Sequence, residues 1–421
     1  MCLAAASLSS LAAPTTAQER PEALLRRVAD ATGRDLAAIR AGLPFFKTVD
    51  AGAPRELAQA YAIRVRAPID HIMDRIREDH LLLDDADRGE RGRFGDPAAE
   101  GDLAGLSLSR SEIRDLARCR PMDCELKLPA GTIERMRADV RFDGSTGEDE
   151  ANRFFRRVLL ETLSGYMESG DGAGLVYEDK TEPLRVEEGF RILLDRAAYL
   201  DDIDPSFRAY LGGYPRGRSS AVDDVFTWTV EDLGVKSLVS LNHISFKRLG
   251  AADGGSLIAV KRIYSSHYFQ ADLKIICLLP TTGDPTGADT YVMVFTRQRF
   301  DGDLGGLKRA AAVRRLERNA EATLTALKKG LEDSYRELDD SFGRRGDVAR
   351  DAGSIPAFLA TRCPDLPAVA VHVVGRHRLD PAGIEVVPIQ DRVEAQEEGP
   401  LCLPAPERPD REGYDVSVAD R

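Results

Sequence analysis

The sequence predicts an α+β fold: an antiparallel sheet followed by one long C-terminal helix, with a helical segment inserted ahead of most strands. Three observations carry that expectation. The period changes from strand to helix near residue 65, four strand-like runs crowd residues 236–299, and 304–338 keeps its leucines on one helical face.

Bulk properties narrow the function classes. The chain has 421 residues, 43% of them hydrophobic and 30% charged, enough to bury a substantial core. A net charge of −12 without a Lys/Arg-rich block excludes nucleic acid, whose backbone needs a clustered basic surface. No apolar run approaches the roughly 20 residues of a membrane-spanning helix.

Residues 1–17, "MCLAAASLSSLAAPTTA", read as a signal-like segment, with a disordered Ala/Ser-rich tail as the alternative. They are weakly apolar, rich in small residues, and end Thr15-Thr16-Ala17 before a polar stretch. This predicts a mature N-terminus near Gln18 and a periplasmic or secreted protein. Residues 18–50 follow as an N-terminal helical segment: Pro21 opens an amphipathic helix with Leu24, Leu25, Val28 and Ala29 inward, and Gly33 closes it.

The main domain is expected over 51–340. Tyr61, Ile63 and Val65 alternate with Ala62, Arg64 and Arg66 as in a half-buried strand. Pro68 breaks it, and Ile69, Ile72, Met73 and Ile76 recur at helical spacing. Residues 84–107 are acidic, Gly-rich and weakly periodic, and read as a long loop or an irregular edge; "DDADRGERGRFGD" lacks the ligand spacing of a calcium-binding EF-hand. In "RCRPMDC", Cys119 and Cys124 flank a proline turn that a small disulfide loop can close, which an oxidising compartment favours. Cys277 lies in an apolar strand as a core thiol, while Cys363 and Cys402 are candidates for a second pair.

A helical insertion is expected at about 147–217. Phe154, Phe155, Val158, Leu159, Leu163, Tyr166 and Met167 form one broad stripe, ended by "GDGAG". That glycine run follows a helix instead of a strand, so it fails the context of a dinucleotide fingerprint. "VEEGFRILLDRAAYL" and "PSFRAYLGGYP" suggest two shorter helices. The runs 236–248, 256–266, 271–280 and 290–299 are strands, and the short connections make neighbours antiparallel. The 304–338 helix carries Leu307, Leu324, Leu327, Leu331 and Leu338 on one face. Residues 341–421, rich in Pro and charge, read as a loosely ordered tail or small appendage.

The order strand, Ala-Pro, amphipathic helix, helical middle, antiparallel strands and long terminal helix resembles the START-like, polyketide-cyclase-like (Bet v 1-like) helix-grip superfamily. "AIRVRAPIDHIMDRIRE" and "GGLKRAAAVRRLERNAEATLTALKKGLED" carry the resemblance, which covers roughly 55–340. The chain is also similar to exported bacterial proteins. The resemblance implies a curved antiparallel sheet gripped by the long helix, with an apolar cavity between them for a lipid, sterol or similar hydrophobic small molecule. It implies no cofactor. The superfamily has no universal catalytic signature to carry over, and fold alone does not establish function.

The polar candidates are few. "IYSSHYFQADLKI" sets His267 between aromatics, in a run too long for one ordinary strand, so a bend is expected near 266–271. With regular alternation, Leu257, Ala259, Lys261, Ile263 and His267 share one face, opposite Arg262, Tyr264 and Tyr268. His267 is either a residue at the cavity mouth, with Tyr268, or a structural side chain bonded internally at the bend. His243 is a second strand histidine that a neighbouring-strand pairing can place near Lys261. Lys261, Arg262 and Tyr264 are a possible anion clamp or a solvated sheet face. Trp228 reads as core and Asp272 as a strand end. Histidine spacing, including His372 and His377, supports no metal site, and no nucleophile elbow or phosphate loop is present.

The expected ligand-binding set is therefore Tyr264, His267, Tyr268, His243 and Arg262, with Leu324 and Leu327 as the roof. Two alternatives stand beside an exported hydrophobic-ligand protein. One is a cavity cyclase or hydrolase using His267 as acid/base; the other is an envelope interaction protein with a filled core.

Overall fold

Strand β2 (Glu56–Val65) is paired on both sides and organises the sheet. The structure, a computed structural model, describes residues 19–79, 90–143, 145–232, 236–250, 254–281, 288–303, 305, 309, 313–314 and 321–338. These lie within the first of two compact units, Met1–Gly346. The signal-like segment, Cys363, Cys402, His372 and His377 fall outside the described residues.

The chain begins with helices α1 (Glu19–Ala29) and α2 (Gly33–Arg40), then β1 (Phe45–Val49), β2 and α3 (Ile69–Asp79). Strand β3 (Glu90–Arg93) leads to α4 (Arg110–Arg118), α5 (Ala130–Asp139) and the long α6 (Gly147–Ser169). A two-stranded ribbon of β4 (Val176–Tyr177) and β5 (Leu184–Arg185) precedes α7 (Val186–Arg196), α8 (Leu200–Ile203) and α9 (Pro205–Gly213). Strands β6 (Val222–Asp232), β7 (Ser237–Arg248), β8 (Ser256–Ser265), β9 (Phe269–Pro280) and β10 (Thr290–Phe300) then run antiparallel in succession. Of the 304–338 stretch, 321–338 forms helix α10.

The main sheet has eight strands in the order β1-β2-β10-β9-β8-β7-β6-β3, so β2 closes against the last strand instead of its sequence neighbour β3. Residues two apart share a face, and the two faces are buried by different layers. On the first face, Ala60, Leu241, Leu257, Leu273, Ile275 and Phe295 join one core with the helices α1, α2 and α4–α9. On the second, Ile63, Ile258, Ile276 and Val292 pack with Ile72, Met73 and Ile76 of α3 and Leu324, Leu327 and Leu331 of α10. Two-sided burial explains why the central strands read as continuous apolar runs.

Local signals account for the helix boundaries. Thr32 and Asp35 cap α2 reciprocally, as Ser109 and Glu112 cap α4. Asp204 caps α9, whose first residue is Pro205. Gly170 ends α6 at φ +59°, pressed against the Tyr214 carbonyl, where a β-carbon has no room. Cys119 and Cys124 form the expected disulfide.

Several expectations change. Residues 45–49 of the N-terminal helical segment are a strand, because "FFKTV" pairs with 58–62 of β2. Of the two readings of 84–107, the irregular edge holds: it contains the short edge strand β3, and what changes is its partner β6, which was not expected as a strand. The bend near 266–271 is a hairpin turn joining β8 to β9, with Tyr268 at φ +62°. Asp272 lies inside β9, not at its end. Leu338 is exposed instead of sharing the buried leucine face. No helix among the described residues is long and apolar enough to cross a membrane.

Candidate functional site

The strand register sorts the second face into rows. Tyr61, Val294, Ile276, Ile258 and Phe246 lie side by side, an apolar row beneath α3 and α10. The next row begins polar and ends apolar: Gln59, Thr296, Lys274, then Val260, Ile244 and Val225. The row after that is polar from its second member: Leu57, Gln298, Asp272, Arg262, Asn242 and Thr227. Ser240, Thr229 and Glu231 continue it. Yet none of these polar side chains is more than 8% exposed. Half of one sheet face is thus a buried polar floor.

Arg262 is its hub. Its Nη1 donates to Ser240 Oγ at 2.7 Å, while Nη2 lies 3.4 Å from Asp272 Oδ2 and 3.7 Å from Glu231 Oε1. The guanidinium also sits 4.8 Å over the Phe269 ring. Gln298 Nε2 donates to Asp272 Oδ2 at 2.9 Å, and Thr229 Oγ1 donates to Glu231 Oε1 at 3.2 Å. In the neighbouring row, Gln59 Oε1 accepts from Tyr61 at 2.8 Å and from Thr296 at 3.5 Å. Its buried Nε2 has no hydrogen-bond partner, an expense that a purely structural core avoids.

A second polar group is buried on the first face, between β6, β7 and the helical layer. Tyr166 of α6 donates its hydroxyl hydrogen to His243 Nδ1 at 2.9 Å, and His243 Nε2 lies 2.8 Å from Asp224 Oδ1. Ser245 and Tyr210 also donate to Asp224. Burial lowers the pKa of His243 despite the opposing pull of Asp224. Burial alone would raise that of Asp224, but hydrogen bonds and the charge of His243 outweigh it and leave it lowered. Lys261, directly opposite His243 in the register, ion-pairs with Asp171 at 2.5 Å and lies 3.7 Å over the Phe190 ring. Every polar atom named in this group has a partner; it ties helices to sheet.

The expected site residues do not converge. Arg262, Leu324 and Leu327 belong to the second face, the leucines over its apolar rows. His243 and Tyr264 lie on the first face; Tyr264 donates to the Lys127 carbonyl and meets Phe155 edge-on. The alternation placed Tyr264 opposite Ile263, but both join the same core. The reason is a bulge: Leu241 pairs with Tyr264 and Asn242 with Arg262, leaving Ile263 extra. His267 and Tyr268 form the β8–β9 turn. His267 Nε2 is buried 3.8 Å from Glu112 Oε1 of α4, and the Tyr268 hydroxyl accepts from the Lys236 amide. Lys261, Arg262 and Tyr264 are all buried and divided between faces, so they form no common clamp.

The polar floor includes residues the sequence reading passed over: Gln59, Thr296, Gln298, Lys274, Asn242 and Glu231. Their one signal is alternation, as in Asp272 and Lys274 between Leu273 and Ile275, which looks the same on a solvent-facing strand. No group of three or more His, Cys, Asp or Glu side chains among the described residues is arranged to hold a metal ion. No protein-family model matches the chain, and no curated protein matches its sequence.

Proposed function

We propose that the chain is an exported amphiphile-binding protein built on the helix-grip plan, with its ligand between the second sheet face and the helices α3 and α10. The observation that carries this reading is the buried floor itself, apolar in the rows from Tyr61 to Phe246 and polar from Gln59 to Thr227. Small-molecule sites are mostly apolar with a few placed polar groups. A buried ion network seldom stabilises a core more than apolar residues of the same volume do. Its retention beside an apolar surface supports a recognition role. The disulfide suits an oxidising compartment.

A filled-core interaction protein is the second reading, and one observation favours it: Leu324 and Leu327 are 2% and 7% exposed and packed with the apolar rows. Native mass spectrometry of the full chain from its native host separates the two. The binding reading expects excess mass that extracts into organic solvent as an amphiphile. A bare polypeptide mass, together with no uptake of any added amphiphile, overturns it. Leu324→Trp adds a check: it blocks uptake in a folded protein if Leu324 borders the ligand. In a filled core it instead destabilises by overpacking, at about 1–3 kcal/mol.

A further inference from the structure

The first sheet face carries a separate group of ions at the end where β2 begins and β10 finishes. Arg299 pairs with Glu56 in the register and Arg297 with Ala58, so the four share a face and Arg297 lies diagonally beside Glu56. Arg196, the last residue of α7, and Tyr199 just beyond it close over them, the Tyr199 ring 5.1 Å from that of Phe295.

The cations here are unequally served. Arg299 donates from Nη1 to Glu56 Oε1 and from Nε to Gln270 Oε1, both at 2.8 Å. Arg309 Nη1 donates to the Glu56 carbonyl at 2.8 Å. Arg196 Nε lies 3.9 Å from Glu56 Oε2, and its Nη2 donates to the Gly52 carbonyl at 3.4 Å. Gly52 sits at φ +82° against that guanidinium, where a β-carbon has no room, so Arg196 is held in place. Arg297 is different. Among the described residues it makes no ion pair, and its buried Nη1 makes no hydrogen bond. Burial lowers its pKa against the pull of Tyr199 and Glu56. Two groups beside it are also unmatched. Glu56 Oε2 is buried without a hydrogen-bond donor, and the Tyr199 hydroxyl bonds to no described residue. Leaving such groups unmade is costly. Two donors and an acceptor, too far apart to pair with one another, call for a small anion with two acceptors and one donor.

We infer that this end of the first face binds inorganic phosphate, with two oxygens accepting from Arg297 and Tyr199 and the P–OH donating to Glu56 Oε2. Arg196, its side chain 45% exposed, marks the side open to solvent. Hydrogenphosphate is charged and tetrahedral and keeps one hydroxyl hydrogen at neutral pH. Sulfate has the same shape but no hydrogen to give, so it sets a bare oxygen against the Glu56 carboxylate. A phosphate ester loses its own hydrogen above a second pKa of about 6. The site lies on the opposite face from the amphiphile reading and stands without it.

Isothermal titration calorimetry of the full chain at pH 8 compares inorganic phosphate, sulfate and methyl phosphate. Phosphate is expected to bind at least about tenfold tighter than either of the others. Arg297→Met strips no carboxylate of its partner, so it should fold and weaken phosphate by at least about tenfold. Glu56→Gln keeps an oxygen for Arg299 and turns the other end into a donor, so it should raise sulfate to the level of phosphate. No phosphate binding, sulfate or methyl phosphate bound as tightly by the wild type, or an unchanged phosphate affinity in Arg297→Met overturns the site. Continued rejection of sulfate by a folded Glu56→Gln does the same. Should that variant fail to fold, the wild-type series and Arg297→Met decide.

Discussion

His243 Nε2 stands 2.8 Å from Asp224 Oδ1 while its Nδ1 accepts from Tyr166, so the neutral imidazole satisfies both neighbours at once. A neutral ring has one N–H to give and one lone pair to receive with, the pattern these two partners require. A protonated ring has no lone pair for the Tyr166 hydroxyl.

That pairing makes the fold acid-sensitive. Burial, aided by Lys261 and Arg218 and opposed by Asp224, holds the pKa of His243 below its ordinary 6.5. As the pH falls the unfolded chain therefore takes up this proton first. The contribution of His243 is complete above about 6.5 and declines as the pH drops toward its lower folded value. Asp224, also lowered, adds stability above its ordinary 3.8 that disappears as pH falls through its folded value. The urea midpoint should fall between about pH 7 and about pH 5, and His243→Gln should flatten that dependence. Identical pH slopes in both proteins would show that His243 is not the sensor.

Arg262→Met is expected to destabilise strongly, by about 3–5 kcal/mol, because it leaves Asp272 and Glu231 buried without their shared guanidinium. Adding Asp272→Asn should restore part of the loss, since the remaining amide carries no charge. Chemical denaturation of the two single variants and the double one gives the coupling directly. Additive losses would mean that Arg262 and Asp272 act independently.

The Cys119–Cys124 disulfide closes a loop with a sequence separation of 5. By loop entropy so short a closure contributes about 2 kcal/mol. The Cys119→Ser, Cys124→Ser double variant should stay folded with a modestly lower melting temperature. Non-reducing peptide mapping of the purified protein should recover the cross-linked peptide; finding both thiols reactive toward alkylation refutes the bridge.

The periods of the chain determined much by themselves. Strand β2 followed by Pro68 and α3, the stripe of α6, and the four strands β7 to β10 were all legible, because each is a local pattern within one element. The disulfide was legible for the same reason, its two cysteines lying on one short turn. Strands β1 and β6 were missed, and β3 read as a loop or an irregular edge, because "FFKTV", "ERGR" and the Trp228 run become strands by pairing with distant neighbours. Tertiary structure alone decided which faces are covered. Alternation separates Asp272 and Lys274 from Leu273 and Ile275, but a strand carries no record of what will bury its polar side. A single extra residue at Ile263 moved Tyr264 onto the first face, away from Arg262. His267 and Glu112 are 155 residues apart, and only the docking of α4 on the β8–β9 turn brings them within 3.8 Å. A buried polar floor assembled from six strands is written in their register, a property of the sheet and not of any one segment.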